Sequence, residues 1–409
     1  MRILRYTYSA LAILMLQSCL SGSYEGAASD LFDQGEKVPV EVEVGDPSGG
    51  ILNRQNSHTK GAGPIDNITQ VEGKDIYVYA FRTDLFTSYA KTSAVDNINT
   101  LVDGSIDRKG SLAGRKARTT GSMYLDWVES SNKLYYHSND MKYVPYEFYA
   151  YYLDGLEVPD SDYTRTDDAV KIRVQIDGRT DLMSAKAELL EQQLENCPED
   201  ERGYAREYTF SYFTAIRNIH PRFYLKHHLS RFEFELLPGL TEGEAKNIQV
   251  VSIKMYSKYK ADFVVAEKSH PSQLGLRFED EYACFTLAEP DGSPIPENKY
   301  SVSTVASSEN AIPIGGSLLL APQNEALVAL VKLREKRADG KVYESENKVN
   351  VTYNNSDGAN MFAAGNKYKV KFPIYGVSNV SANVKLEEWE EGGNVNVDSE
   401  NDKPDLRKN

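Results

Sequence analysis

Apolar and polar residues alternate with a period of two along much of the chain, and clusters of Gly, Asn, Asp and Pro separate the alternating runs. In an extended chain successive side chains point to opposite faces, so each run predicts a strand with one buried face. The earliest is 38–44, V-P-V-E-V-E-V, with Val38, Val40, Val42 and Val44 on one face and Glu41 and Glu43 on the other. Pro39 has no amide proton to donate, which points to an edge or strand-start position. The run D-I-Y-V-Y-A-F at 75–81 is apolar on both faces and predicts an interior strand. At 143–152 the sequence Y-V-P-Y-E-F-Y-A-Y-Y sets rings at alternate positions. That pattern predicts a sandwich core and its rim, with an aromatic platform for a sugar as the second reading. Further strands are predicted at 170–176, 223–237, 248–256, 260–265, 282–287, 300–305, 317–321, 326–334, 342–353, 368–375 and 381–389.

The best helical candidate is 181–196, where Leu182, Ala185, Leu189 and Leu190 recur among Glu and Lys. Many strands and few helices define an all-β chain of the β-sandwich class, and a single sheet of so many strands would be unusual. Two domains are therefore expected, 38–215 and 222–393, with a break near 205–222 and a polar tail at 394–409. The glycine-rich stretch 45–63 reads as a long exposed loop. Arg115, Lys116 and Arg118 form a basic cluster read as a solvated hairpin tip, with a protease-accessible site or an anion contact as alternatives.

Composition changes this picture in two ways. The 27 Tyr against 14 Phe and 2 Trp suit rings that are half buried with the phenol toward water. The 60 Asp and Glu against 46 Lys and Arg give a charge of −14 over 409 residues, which argues against a nucleic-acid partner. The first 18 residues, with Arg2 and Arg5 before an apolar run at 10–16, read as an export signal too short to span a membrane. Their removal leaves 44 basic residues against 60 acidic ones, a charge of −16. Residues 19–37 are small, polar and acidic and read as a tether. Three cysteines are too few for a disulfide framework, and Cys197 and Cys284 receive no role.

Catalytic signatures are not evident. The chain has no G-x-S-x-G elbow, H-E-x-x-H pair, nucleotide-binding glycine loop or paired C-x-x-C, so neither an enzyme nor a cofactor or metal is expected. His227 and His228 are adjacent and would point to opposite faces of a strand, one packed and one solvated. The Asp and Asn clusters at 158–168 and 394–402 lack the spacing of a calcium loop and read as solvated.

The tetrad Leu16-Gln17-Ser18-Cys19 resembles a bacterial lipobox, which implies cleavage before Cys19 and acylation of that residue. Several ordered blocks follow it. They are the 38–44 strand, Ser57-His58-Thr59-Lys60 before Ile76-Tyr77-Val78-Tyr79-Ala80, and the run from Tyr146 to Tyr152. After these come Asp177-Gly178-Arg179-Thr180-Asp181-Leu182-Met183, His228-Leu229-Ser230-Arg231-Phe232-Glu233-Phe234, Leu318-Leu319-Leu320-Ala321-Pro322-Gln323, and the closing run from Val384 to Gly392. Their order resembles the fimbrillin family of Bacteroidales, the subunits of type V pili. The resemblance implies two transthyretin-like β-sandwich domains with few short helices, and a lipoprotein held in the outer membrane through acylated Cys19. It also implies other fimbrial subunits as partners, with proteolysis freeing the first strand so that a neighbour's strand fills its place. On this reading Val38, Val40, Val42 and Val44 belong to the strand that leaves. Arg54, the nearest arginine in the following loop, is the processing candidate. The alternative is an outer-membrane-anchored module for a glycan or host protein, in an anchor or tip role, suggested by the 143–152 stripe, the acidic exterior and the polar tail.

Overall fold

The computed structural model describes residues 38–45, 65, 68–83, 100–102, 112–119, 124–128, 134–136, 142–166, 168–238, 248–268, 273–302, 311–353 and 362–389. Cys19, the tether, Arg54 and the polar tail lie outside them.

The fold is all-β. Its first sheet has seven strands and runs Lys226–His227, Met183–Lys186, Tyr146–Tyr152, Ile76–Arg82, Arg115–Thr119, Leu125–Trp127, with Thr100–Val102 also on Ile76–Arg82. The central antiparallel pair sets Tyr79 opposite Tyr149 and Val78 opposite Ala150. Alternation sends Tyr79, Phe81, Tyr149 and Tyr151 to one face, and Ile76, Val78, Ala80, Phe148, Ala150 and Tyr152 to the other. Both faces are covered, which is why 75–81 shows no polar alternation. The second sheet runs Gly275–Phe278, Lys260–Glu267, Ala169–Gln175, Tyr163–Arg165, and Phe263 meets Tyr151 of the first sheet edge-to-face at 6.4 Å.

Apart from the two-stranded pairing of Glu43–Val44 with Arg222–Phe223, the remaining strands build a second pair of sheets. One has Ile312–Leu320, Ser230–Pro238 and Asn366–Gly376 in order, with Asn379–Val380 and Asn383–Glu388 on the last of these. The other runs Tyr282–Thr286, Ile248–Lys258, Leu327–Lys336, Val342–Val351. Phe232, Phe234, Leu236, Ile253, Met255, Val331 and Phe372 are buried in the core between them.

The division expected at 215–222 is crossed by a sheet. Ile248–Lys258 passes through Tyr259 directly into Lys260–Glu267, which pairs antiparallel with Ala169–Gln175, Phe263 opposite Ile172. One apolar cluster is continuous from Tyr79 and Tyr151 to Phe232 and Val331. Nor is 205–222 a linker. It holds the second half of the helix Arg202–Glu207 and all of the helix Tyr212–Ala215, and it buries Phe210, Phe213 and Ile219 on the outer face of the first sheet.

Other expectations also need correction. The helix expected at 181–196 is a strand at Met183–Lys186 followed by a 3-10 turn at Glu191–Asn196. Pairing with Tyr149–Tyr152 overrides local propensity, because Met183 and Ala185 bury on the alternation of that strand. The basic cluster is a strand, Arg115–Thr119, rather than a hairpin tip. Arg115 is buried with its guanidinium over the Trp127 ring, while Lys116 and Arg118 both pair with Asp75. Of the strand expected at 300–305, the described part makes a single bridge, Ser301 with Gln249.

Candidate functional site

Residues 38–45 lie extended in a cleft between two segments from distant parts of the chain. On one side the neighbour is antiparallel: Val40 N donates to Leu134 O, Tyr136 N to Val38 O and Leu125 N to Val42 O, each at 2.9 Å. On the other side the neighbour is parallel, with Glu43 in register with Arg222. There Glu43 N donates to Pro221 O and Gly45 N to Phe223 O, again at 2.9 Å. Trp127 adds a side-chain bond, its Nε1 donating to Val40 O at 2.9 Å. Pro39 bridges Tyr135 and is solvent-exposed, as its missing donor requires, so the segment is edge-like at its start. From Val42 onward it is flanked on both sides. Gly45 closes the segment because a Cβ there would lie 2.6 Å from the Tyr224 ring.

The apolar face of the segment completes the outer core of the first sheet. Val40, Val42 and Val44 are buried in one cluster with Ile76, Val78, Phe148 and Phe223, and Val38 sits at its rim. Burying a valine side chain contributes about 1.5 kcal/mol or more, so the three together match a large fraction of a domain's net stability.

The opposite face carries charge. Glu43 is buried, and its Oε2 accepts from both Nε and Nη2 of Arg222 at 2.6 Å. Glu41 is exposed, with its carboxylate 3.5 Å from Nε2 of the buried His220. Tyr124 lies edge-on to His220 at 6.2 Å and bridges Glu43. Burial, then the Glu43 and Glu41 carboxylates, push its phenol above the ordinary tyrosine range. The cleft thus holds its strand by main-chain hydrogen bonds on two sides, by pockets for alternate side chains and by the Arg222 guanidinium.

A second polar cluster ties the N-terminal half to the last described residue. The carboxylate of Asp181, fully buried, accepts from Ile65 N at 3.1 Å and contacts His227 Nδ1 at 2.9 Å. His227 stacks on Trp389 at 3.9 Å, and Trp389 Nε1 donates to Ile65 O at 3.0 Å. Asp181 N donates to Asp154, whose carboxylate also accepts from Tyr152 Oη at 2.7 Å and pairs with Lys74 at 3.1 Å.

Of the adjacent pair, expected to be one packed and one solvated, His227 is buried and His228 is half-buried. His228 Nε2 lies 2.7 Å from Ser184 Oγ, and its ring meets Phe263 edge-on. Asp181 bonds His227 rather than His228, so these residues do not form a nucleophile–base–acid relay. Burial holds the His228 imidazole neutral down to about pH 4, Asp181 opposing and His227 and Lys226 assisting. In the unfolded chain the same group takes up a proton near 6.5. Stability is therefore lost as pH falls from the unfolded value toward the folded one, by about 3 kcal/mol at full effect. Urea titrations at pH 7 and pH 4.5 should show a loss about 2 kcal/mol larger in the wild-type chain than in His228→Gln. Equal losses would contradict this account of the ring.

The aromatic stripe does not offer a sugar platform. Tyr146, Tyr149, Tyr151 and Tyr152 are buried, and Tyr149 Oη donates to Glu267 O at 2.9 Å. Only Tyr143 faces outward, 47% exposed, beside Tyr204 and Tyr208 and against the buried Phe213. Cys197 is buried and Cys284 exposed, and both are free thiols. Reading the sequence alone missed Trp127, His220, Arg222 and Asp181. Trp127, one of only two tryptophans, and Asp181, inside the D-G-R-T-D block, carried some signal. His220 and Arg222 carried none, since what matters about them is a neighbour some 180 residues away.

No family model matches the chain, and no curated protein matches it. Among solved structures it is similar to a proposed cell adhesion protein of Bacteroides uniformis. That match has 14% identity and a TM-score of 0.44, over 86% of this chain and 99% of the other. A proposed cell adhesion protein of Bacteroides eggerthii gives 9% identity and a TM-score of 0.43, over 87% of this chain and 97% of the other. A Bacteroides thetaiotaomicron structure described as a proposed polysaccharide-binding protein gives 9% identity and a TM-score of 0.34, over 87% of this chain and all of the other.

Proposed function

We propose that the chain is a non-enzymatic structural or adhesive subunit of a Bacteroidales cell-surface fimbria. It is exported as a lipoprotein acylated at Cys19 and held in the outer membrane, and cleavage at Arg54 separates 38–45 from the body. A strand from another fimbrial subunit then takes the vacated cleft. The observation that carries this reading is the way the first strand is held. It is flanked by 124–125 and 134–136 on one side and by 221–223 on the other, yet it precedes the other described strands in sequence and joins them through residues 46–64. A cut in that loop leaves it bound by non-covalent contacts alone. Its departure exposes apolar pockets and unpaired main-chain groups, which an incoming strand satisfies together.

The second reading is an anchored module in an anchor or tip role that binds a glycan or host protein and keeps its first strand. The outward-facing Tyr143 and Tyr204 give it a surface. Mass analysis of the N-terminus in the surface-assembled protein separates the two. A start at Gln55 is the expected result. Acylated Cys19 still joined to 38–45 in the assembled form would favour the anchored module and contradict strand release.

A further inference from the structure

Apolar alternation by itself cannot set the position of a strand in the cleft. A slip of one residue turns the valines outward and is excluded, but a slip of two returns apolar side chains to the same pockets. Many strands of this protein also present a suitable apolar face. Ala169–Gln175 alternates equally well, with Lys171 and Arg173 on its other face. What separates 38–45 from such strands is the charge on the opposite face and the groups that meet it. Arg222 binds Glu43 through two nitrogens at 2.6 Å, in an environment where the carboxylate is buried. His220, two residues earlier on the same neighbour, stands beside Glu41. A period of two on both segments makes the spacings equal.

We propose that the cleft is a receptor for an acidic strand, in which Arg222, assisted by His220, fixes partner and register by reading carboxylates two residues apart. The inference rests on the strand-exchange reading and adds the chemistry of the partner. The occupant is an extended segment of another chain with apolar residues in place of Val38, Val40, Val42 and Val44 and carboxylates in place of Glu41 and Glu43. A two-residue slip strands Arg222 without its partner. A cationic strand sets like charge against Arg222, a repulsive element that rejects wrong strands. Glu43 carries more of the selection than Glu41, because its partner contact is bidentate and buried, whereas Glu41 is exposed.

The test uses the full chain with a specific protease site placed in the 46–64 loop and cut, so that the native strand stays in place until exchanged. Fluorescent peptides spanning 38–45 are offered in three forms: native, with Gln at 41 and 43, and with Lys at both. Occupancy is read by anisotropy and native mass spectrometry. The native peptide should bind at least about tenfold more tightly than the Gln form, with the Lys form weaker still. Replacing Glu43 alone should cost more than replacing Glu41 alone. In an Arg222→Gln chain the preference should collapse, and in Arg222→Lys most of it should persist. Equal entry of the native and Gln peptides into the unaltered cleft overturns the inference while leaving strand exchange intact. Failure of every peptide to enter, the native one included, overturns strand exchange and the inference with it.

Discussion

Val42→Asp should lower the unfolding free energy by about 3–5 kcal/mol, the cost of leaving a carboxylate buried without a counter-ion. Val42 has no exposed surface and packs in the cluster formed by Ile76, Val78, Phe148 and Phe223. Its carbonyl already accepts from Leu125, so the new carboxylate cannot turn outward without breaking the pairing on that side. Arg222 and His220 lie on the other face of the segment and cannot reach it. Glu41→Gln, on the exposed face of the same segment, is the matched control and should change stability by less than about 0.5 kcal/mol. Urea denaturation followed by tryptophan fluorescence reads both, since Trp127 donates to Val40 and reports directly on the cleft. A loss below about 1 kcal/mol for Val42→Asp would show that the first strand is not part of the core.

Most strands were legible because their alternation records which face is buried, and burial is a local property of each segment. In 38–44 the inward valines were legible, since Val40, Val42 and Val44 are buried, although only Glu43–Val44 is a strand and Glu43 is buried too. What the segment lies between was not legible, since 124–125, 134–136 and 221–223 become its neighbours only through the topology. The helices at Arg202–Glu207 and Tyr212–Ala215 were missed because each is shorter than two turns, so no apolar period can build up. The expected helix at 181–196 failed for the converse reason. Leu182, Leu189 and Leu190 suggested a helical stripe, while the two-residue period of Met183 and Ala185 was too short to compete until Tyr149–Tyr152 supplied a partner. The expected boundary at 215–222 rested on where a second series of strands begins. The strands Ile248–Lys258 and Lys260–Glu267 were both expected, but nothing local shows that they join different sheets across Tyr259 alone. The tyrosine stripe shows the opposite case, where strict alternation correctly pointed to core even though its chemistry also suited a ligand.

The central claim is that the first strand leaves its cleft during assembly, and it is tested most directly by preventing departure. Pro39 and Tyr135 face each other across an antiparallel bridge. Opposed Cα atoms in such a pair lie about 4.5–5.5 Å apart, within the span of a disulfide. Pro39→Cys with Tyr135→Cys, in a Cys284→Ser background that removes the exposed thiol, joins the strand to its neighbour when oxidised and frees it when reduced. Cleavage in the loop remains possible in both states, so the bond isolates departure from processing. The measurement is the amount of surface-assembled protein formed under oxidising conditions and again after reduction. Strand exchange predicts near-complete loss of assembly in the oxidised state and recovery on reduction. Equal assembly in both states would contradict it, because a subunit that assembles with its first strand bonded in place does not need to give that strand up.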